Sequence, residues 1–363
     1  MTASPETAQD RRWMRVALAL GQRGLGRVAP NPAVGCVLVK DGQVVGRGWT
    51  QPGGRPHAET EALRRAGSAA KGATAYVSLE PCSHTGKTGP CSTALIEAGV
   101  ARVVIAMIDP DNRVAGGGVA ALEAAGIPVT LGVLEREALL LNQGFVLSRT
   151  RNRPMVTLKL ATSLDGKIAT ASGESRWITG PEARQDAQLL RMTHDAILVG
   201  IGTALADDPA LTCRLQGILV QPVRVVLDGQ GRLPETAKLC DGTVPTLQFV
   251  AQGCDTAVPK GVTRLAVPQS QSGLSVPDVL SALAGRGITR LMVEGGGQVA
   301  ASFLRAECVD RVAWYRSGLV LGADARSGIS DLAITALSDA TRFELISSRA
   351  VGSSLVDTFI KNH

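Results

Sequence analysis

The sequence predicts two different α/β domains in succession, and three observations carry that prediction. A chain of 363 residues exceeds what one compact core usually serves. Hydrophobic residues make up 45% of it and aromatics only 3%, so the interior must be built from small and aliphatic side chains, as in layered α/β packing. Apolar runs of strand length alternate with segments of helical period through both halves, yet the halves show no self-similarity.

The elements follow in chain order. Residues 12–24 carry apolar side chains at helical spacing, and 33–39 with 43–49 flank Asp41-Gly42, a strong hairpin signal. The pattern then predicts a helix over 58–66, a strand over 74–79, a helix over 92–98, a strand over 102–108, a helix over 119–125 and a strand over 128–133. This is a three-layer α/β arrangement. A further helix through Leu139 and Leu147 runs into Arg149-Thr150-Arg151-Asn152-Arg153-Pro154, where polarity and a proline interrupt the apolar period. The domain boundary is placed there, giving 1–150 and 151–363. The second half alternates helices with strands over 155–160, 196–199, 223–227 and 290–293.

Bulk properties exclude several classes. The net charge of +6 is spread over 38 basic and 32 acidic residues without a block of one sign. A solvated surface is the plain account and a small phosphorylated substrate the sharper one; nucleic acid is not indicated. Residues 1–12 are polar, and nowhere do about 18 apolar residues run unbroken, so neither export nor a membrane span is expected and the location is expected to be cytoplasmic. Seven scattered cysteines, an odd number, suit free thiols or metal ligands better than a disulfide framework.

The chemistry of the first half rests on His57-Ala58-Glu59, where a glycine-bearing loop hands over to a helix, with Pro81-Cys82 after a strand and Cys91 opening another helix. Each piece alone is weak, since an H-x-E triplet arises by chance and a lone cysteine is usually a small core residue. Together, one imidazole and two thiolates make a neutral tripod around Zn2+ with a fourth position open to water. A carboxylate that is not a ligand, Glu59, then has the reach to move protons between that water and a leaving amine. A folding-only zinc site is the competing account, although such sites normally close all four positions with protein ligands.

These residues resemble the bifunctional riboflavin biosynthesis deaminase-reductase family. The resemblance rests on Pro30-Asn31-Pro32 with Val34-Gly35-Cys36-Val37, on His57-Ala58-Glu59, on Leu79-Glu80-Pro81-Cys82-Ser83-His84 through Gly86-Lys87-Thr88 to Pro90-Cys91, and on Asp109-Pro110. It implies a cytidine-deaminase-like first domain. It also implies that Asn31 meets the pyrimidine edge, that His84 and Lys87 lie near the ribose phosphate, and that Asp109 holds the ribose. For each of these a turn or cap role is the bland alternative, most of all for Asn31 between two prolines. The chain departs from the commoner pattern at Thr50 and Glu61, where histidines are frequent, and at Gly117, where a basic residue is usual.

The second half resembles the family's reductase domain, which looks like dihydrofolate reductase, through KLATSLDGKI at 159–168, GESRWIT at 173–179, GTALADDPALTCR at 202–214 and EGGG at 294–297. Physically, an apolar strand enters three glycines and then a helix, an arrangement that brings backbone amides to a phosphate. Gly295, Gly297 and Ala300 even fit the dinucleotide template, but no acidic residue follows about 20 positions on. A close-packing turn is the alternative. The resemblance implies NADPH held by Gly296, Gly297, Gln298, Val299, Ala300, Ala301 and Ser302, with Ala161, Trp177, Thr203 and Asp207 on the nicotinamide and ribose side. It implies substrate contacts from Ser175, Arg191, Leu211, Arg214 and Glu294. The two arginines suit a phosphate, and Asp207 suits an acid in the reduction, unless Asp207-Asp208-Pro209 is only a cap or turn.

The expected activity is therefore deamination of a phosphoribosylaminopyrimidine followed by NADPH-dependent reduction of its ribosyl group, by a homo-oligomer. A zinc nucleobase or tRNA deaminase with an unrelated C-terminal domain is the alternative.

Overall fold

Thr7 opens the first helix. Its hydroxyl accepts from the Asp10 amide while the Asp10 carboxylate accepts from the Thr7 amide, and this capping box starts α1 (Ala8–Gly21) at Ala8, ahead of the apolar period at residue 12. The chain is seen here in a computed structural model that describes residues 7–83, 89–111, 115–218, 220–270 and 273–361. It divides into two compact units, Met1–Arg151 and Asn152–His363. Among the described residues no helix is long and apolar enough to cross a membrane.

In the first unit, β1 (Gly35–Lys40) and β2 (Gln43–Trp49) form the expected hairpin, with Asp41 and Gly42 both at positive φ as its tight turn requires. There follow α2 (Ala58–Ala66), β3 (Thr74–Val77), α3 (Cys91–Glu97), β4 (Arg102–Ile105), α4 (Gly117–Ala124), β5 (Val129–Leu131) and α5 (Glu135–Thr150). The sheet order is β2-β1-β3-β4-β5, antiparallel across β1 and parallel from β3 onward. Alternation along β1 serves two faces. Gly35 lies against α1 so closely that a Cβ would sit 1.8 Å from the Ala17 carbonyl oxygen, whereas Leu38 packs on the face that carries α2. Strands β3 and β4 end at Val77 and Ile105, short of the expected 79 and 108, because the chain leaves the ladder there to form the loops of the site.

The second unit runs β6 (Met155–Thr162), β7 (Lys167–Ala169), α6 (Pro181–Met192), β8 (Ala196–Gly200), α7 (Ile201–Asp207), β9 (Val223–Leu227), β10 (Thr246–Ala251), β11 (Val262–Val267), β12 (Gln269–Ser270), β13 (Gly273–Leu274), α8 (Val276–Ala284), β14 (Arg290–Val293), α9 (Gly297–Arg305), β15 (Arg311–Ser317), β16 (Arg326–Ser327), β17 (Glu344–Val351) and β18 (Ser354–Ile360). Nine strands form one sheet in the order β11-β10-β9-β8-β14-β6-β15-β18-β17. It is parallel from β11 to β15, and β18 and β17 close it antiparallel. Alternate residues divide between two cores: Ala196, Leu198, Leu291 and Val293 join Leu283 of α8 and Phe303 of α9, while Ile197, Val199 and Met292 join Ala204 of α7. Parallel strands so covered present their carboxyl ends as a ligand-binding edge.

Candidate active sites

His57 caps the N-terminus of α2, Cys91 is the first residue of α3, and Cys82 stands in the turn after β3. The His57 Nδ1 lies 3.3 Å from the Cys91 Sγ and 3.7 Å from the Cys82 Sγ, and one ligand atom from each of the three lies within 4.8 Å of the others. The Cys91 amide donates to the Cys82 sulfur at 3.4 Å. Hydrogen bonds from the Cys91 thiol and from His57 push Cys82 down to about 4, while the shared proton and burial push Cys91 up. The hydrogen bond to Cys82 likewise raises His57. Two thiols and an imidazole that compete for protons at this range are the donor set of a zinc tripod, and a dication would replace the shared proton and keep both sulfurs as thiolates. Glu59, on the first turn of α2, is buried; burial raises its carboxyl to about 7 despite the nearby imidazole.

The tripod opens on a cavity of about 420 Å³, lined also by Asn31, Arg55, Glu80, Asp109, Phe145 and Arg149. The Asn31 amide closes a turn onto the Val28 carbonyl, and its side chain lies over Gly54, where a Cβ would come 1.9 Å from the Asn31 Nδ2. Asp109 accepts from the Asp111 amide. Burial raises it, the Asp111 amide pulls it down, and the charges of Asp111 and Glu80 add to the rise. His84 and Lys87 lie outside the described residues. Arg55, Arg149, Glu80 and Phe145 are absent from the sequence-based site. Arg55 stands in the loop just before His57 and was available to be read. Arg149 was not, because it looks like linker polarity; it belongs to the last turn of α5, with its guanidinium 5.3 Å over the Phe145 ring.

The three departures from the family pattern have structural occupations. Thr50 is buried and exchanges hydrogen bonds with Val34, Oγ1 accepting from the Val34 amide and its own amide donating to the Val34 carbonyl. Glu61 pairs with Arg64 and Arg65. Gly117 leaves room for the Ser83 hydroxyl, which a Cβ would meet at 2.5 Å.

In the second unit the strand ends assemble a different site. Glu294 follows β14, and Arg191 of α6 grips it with Nε and Nη2 at 2.7 and 2.8 Å while donating from Nη1 to the Thr212 carbonyl. Burial raises Glu294, but Arg191, Lys159 and Arg214 hold it below the usual carboxylate range. Lys159 of β6, a neighbour the sequence reading did not single out, is pulled down by burial and by Arg191 against the attraction of Glu294. Leu211 is buried, and the Arg214 amide donates to Gln188 while its side chain is exposed. Ala161 lies along β6 opposite Tyr315.

The glycines after Glu294 are a close approach. A Cβ on Gly295 would meet the Gly200 amide nitrogen at 2.7 Å, and one on Gly297 the Ser327 carbonyl oxygen at 2.6 Å. Gly296 holds φ 25° and caps α9, with Thr203 across from it. This run of backbone amides at a helix N-terminus, with no side chains of its own at 295–297, fits a dinucleotide phosphate. The seven residues expected to hold NADPH divide there. At the first turn Gln298 is exposed and Gly296 and Val299 are half-buried, whereas Gly297, Ala300 and Ala301 are buried, the Ala300 amide bonds the Gly296 carbonyl, and the Ser302 hydroxyl donates to the Gln298 carbonyl. Asp207 ends α7 and pairs with Arg176 at 3.4 Å, next to the exposed Trp177, whose ring carries the Arg184 guanidinium at 4.1 Å. Ser175 lies half-buried in the same segment.

Comparison with known proteins covers both units. Residues 7–107 match the family model of the cytidine and deoxycytidylate deaminase zinc-binding region, and residues 154–356 that of the RibD C-terminal domain. The riboflavin biosynthesis protein RibD of Bacillus amyloliquefaciens is 44% identical over 353 residues, 96% of this chain and 95% of that protein. That of Escherichia coli (strain K12) is also 44% identical, over 95% of this chain and 97% of its own length. Among solved structures, Acinetobacter baumannii RibD, form 1, superposes with a TM-score of 0.88 at 40% identity, covering 99% of this chain and 100% of its own. A diaminohydroxyphosphoribosylaminopyrimidine deaminase/5-amino-6-(5-phosphoribosylamino)uracil reductase from Thermotoga maritima gives 0.87 at 36% identity, over 97% and 99%. The first unit is cytidine-deaminase-like and the second is of the dihydrofolate-reductase-like kind.

Proposed function

Because this chain belongs to the RibD family and is a bifunctional, zinc- and NADPH-dependent enzyme of riboflavin biosynthesis, we propose how its own residues divide two consecutive steps. The first is hydrolytic deamination of 2,5-diamino-6-(5-phosphoribosylamino)pyrimidin-4-one, assigned to 1–150. The second is reduction of the ribosyl side chain to ribityl, assigned to 151–363. The observation that carries the reading is the tripod of His57, Cys82 and Cys91, with a buried carboxyl near neutrality beside it, opening on a cavity that two arginines line.

His57, Cys82 and Cys91 would hold the zinc, which would supply Lewis acidity for activating a water near neutral pH. Glu59, raised by burial toward neutrality, takes the proton of the attacking water and returns it to the departing nitrogen, which leaves as ammonia. Asn31 holds the pyrimidine edge and Asp109 the ribose; Arg55 and Arg149 join His84 and Lys87 at the phosphate.

Residues 296–299 and Thr203, with Ala161 and Trp177, would hold NADPH, which would supply the reducing electrons. Asp207 delivers the proton that accompanies opening of the sugar ring. Arg191 is committed to Glu294 and orients that carboxylate toward substrate, which leaves Arg214 as the guanidinium for the phosphate, with Ser175 and Leu211 completing the pocket.

A two-step assay that follows ammonia and NADPH oxidation separately tests the division. Glu59→Gln is expected to keep its zinc and lose ammonia release by about 10²–10⁴-fold. It should still oxidise NADPH when given the deaminated intermediate. Undiminished ammonia release in this variant would remove Glu59 from the chemistry.

We further propose a cytoplasmic homo-oligomer. The outer strand β17 exposes Leu345 and Ile346 along an eight-residue edge, a surface that proteins ordinarily cover. Sedimentation as a monomer at micromolar concentration would count against the oligomer.

A further inference from the structure

The side chain of Glu80 sits at the floor of the deaminase cavity, 4% exposed, and takes no part in the steps above. Its carboxylate is fed by peptide groups. Oε2 accepts from the amides of Asp109 at 3.2 Å and Gly116 at 3.0 Å, and Oε1 from those of Gly118 at 2.8 Å and Val119 at 3.2 Å. Gly116, the N-cap of α4, has no side chain to cap the helix, so a residue 36 positions upstream does what a local Ser or Asp would do. A carboxylate at a helix N-terminus is favoured by the oriented dipoles as well as by the hydrogen bonds.

The same residue is tied to the metal turn. Its amide donates to the Met107 carbonyl at 3.0 Å, and Cys82 follows it by two positions. The start of α4 is pressed against that turn: a Cβ on Gly118 would lie 1.9 Å from the Pro81 carbonyl oxygen. One residue therefore links the metal turn to Asp109, which lines the same cavity.

We propose that Glu80 is a positioning residue for substrate binding, holding Asp109 and the first turn of α4 in register with the metal ligands. This rests on the reading of Asp109 as a substrate contact. Glutamine at position 80 keeps the shape but offers a single acceptor oxygen and turns an NH2 toward two peptide N–H groups, so one pair of bonds is lost.

The test is steady-state deamination by the full-length, zinc-loaded enzyme with the phosphoribosylaminopyrimidine, together with zinc content per chain. Glu80→Gln is expected to raise KM about tenfold, part of what the lost pair of hydrogen bonds supplied reaching the substrate contact, with kcat within about twofold and zinc unchanged. Asp109→Ala should raise KM in the same sense, and the double variant no further than the larger single effect. Glu80→Asp, which keeps the charge, should recover part of the loss.

A Glu80→Gln enzyme with lower melting temperature but unchanged KM would reduce the residue to a fold support. Loss of kcat and zinc at unchanged KM would assign it to the metal turn instead. Multiplying effects in the double variant would overturn the route through Asp109. An Asp109→Ala enzyme with normal KM would overturn the substrate role of Asp109 itself, a result separable from that of Glu80→Gln alone.

Discussion

His194 shows how a single buried group writes itself into solution behaviour. Its Nδ1 donates to the Leu190 carbonyl at 2.7 Å and its Nε2 lies 2.8 Å from the Thr157 hydroxyl, which donates to a neutral ring. Burial, aided by Arg290, holds it well below its ordinary 6.5. The unfolded chain takes up a proton there that the folded one refuses. Stability from this group is therefore complete above 6.5 and declines as pH falls below it, by at most about 1.4 kcal/mol per pH unit. Denaturant titrations of the wild type and His194→Gln between pH 7 and pH 5 should show the steeper decline in the wild type; equal slopes would disprove the coupling. At this scale the sequence was unevenly legible. His57, Glu59, Cys82 and Cys91 were legible only as a set, because a zinc tripod beside a free carboxylate needs those side chains together. The grip of Arg191 on Glu294 does not, because 103 residues separate them and only the sheet order brings them together. Arg149 was hidden by its neighbours, a polar run that reads as a linker.

At the scale of elements, the hairpin, the strands of the first sheet and the β14-to-α9 turn are visible as apolar periods and turn residues. What escaped had physical causes. Strand β17 exposes nearly all its residues and so carries no apolar alternation. Strand β10 is buried throughout and accommodates Gln248 only because Asp228 and Arg264 satisfy its amide. The start of α9 gives the sharpest expectation. Gly297→Ala would bring a methyl against the Ser327 carbonyl, within a cradle where overpacking typically costs about 1–3 kcal/mol. KM for NADPH should rise by about tenfold or more while ammonia release stays normal, as the two half-assays would show. A normal KM for NADPH would move the cofactor phosphates elsewhere.

At the scale of the whole molecule, the two units have separate cores, and the proposal that they carry separate chemistries has a direct test. Removing zinc by dialysis against a chelator should abolish ammonia release and leave NADPH oxidation on the deaminated intermediate within about twofold. Loss of both would show that the reductase depends on the metal. The order of strands in the second sheet was beyond the sequence, since periodicity names strands without saying which lie side by side. The contact of α1 with β1 has a consequence of another kind. Every amino acid reachable from a glycine codon by one base change carries a Cβ, and at Gly35 that atom would fall 1.8 Å from the Ala17 carbonyl oxygen. A single missense change at this codon therefore has no mild outcome. A substitution found there in a natural isolate would mark a gene no longer under selection for this fold, or a compensating change in the helix above it.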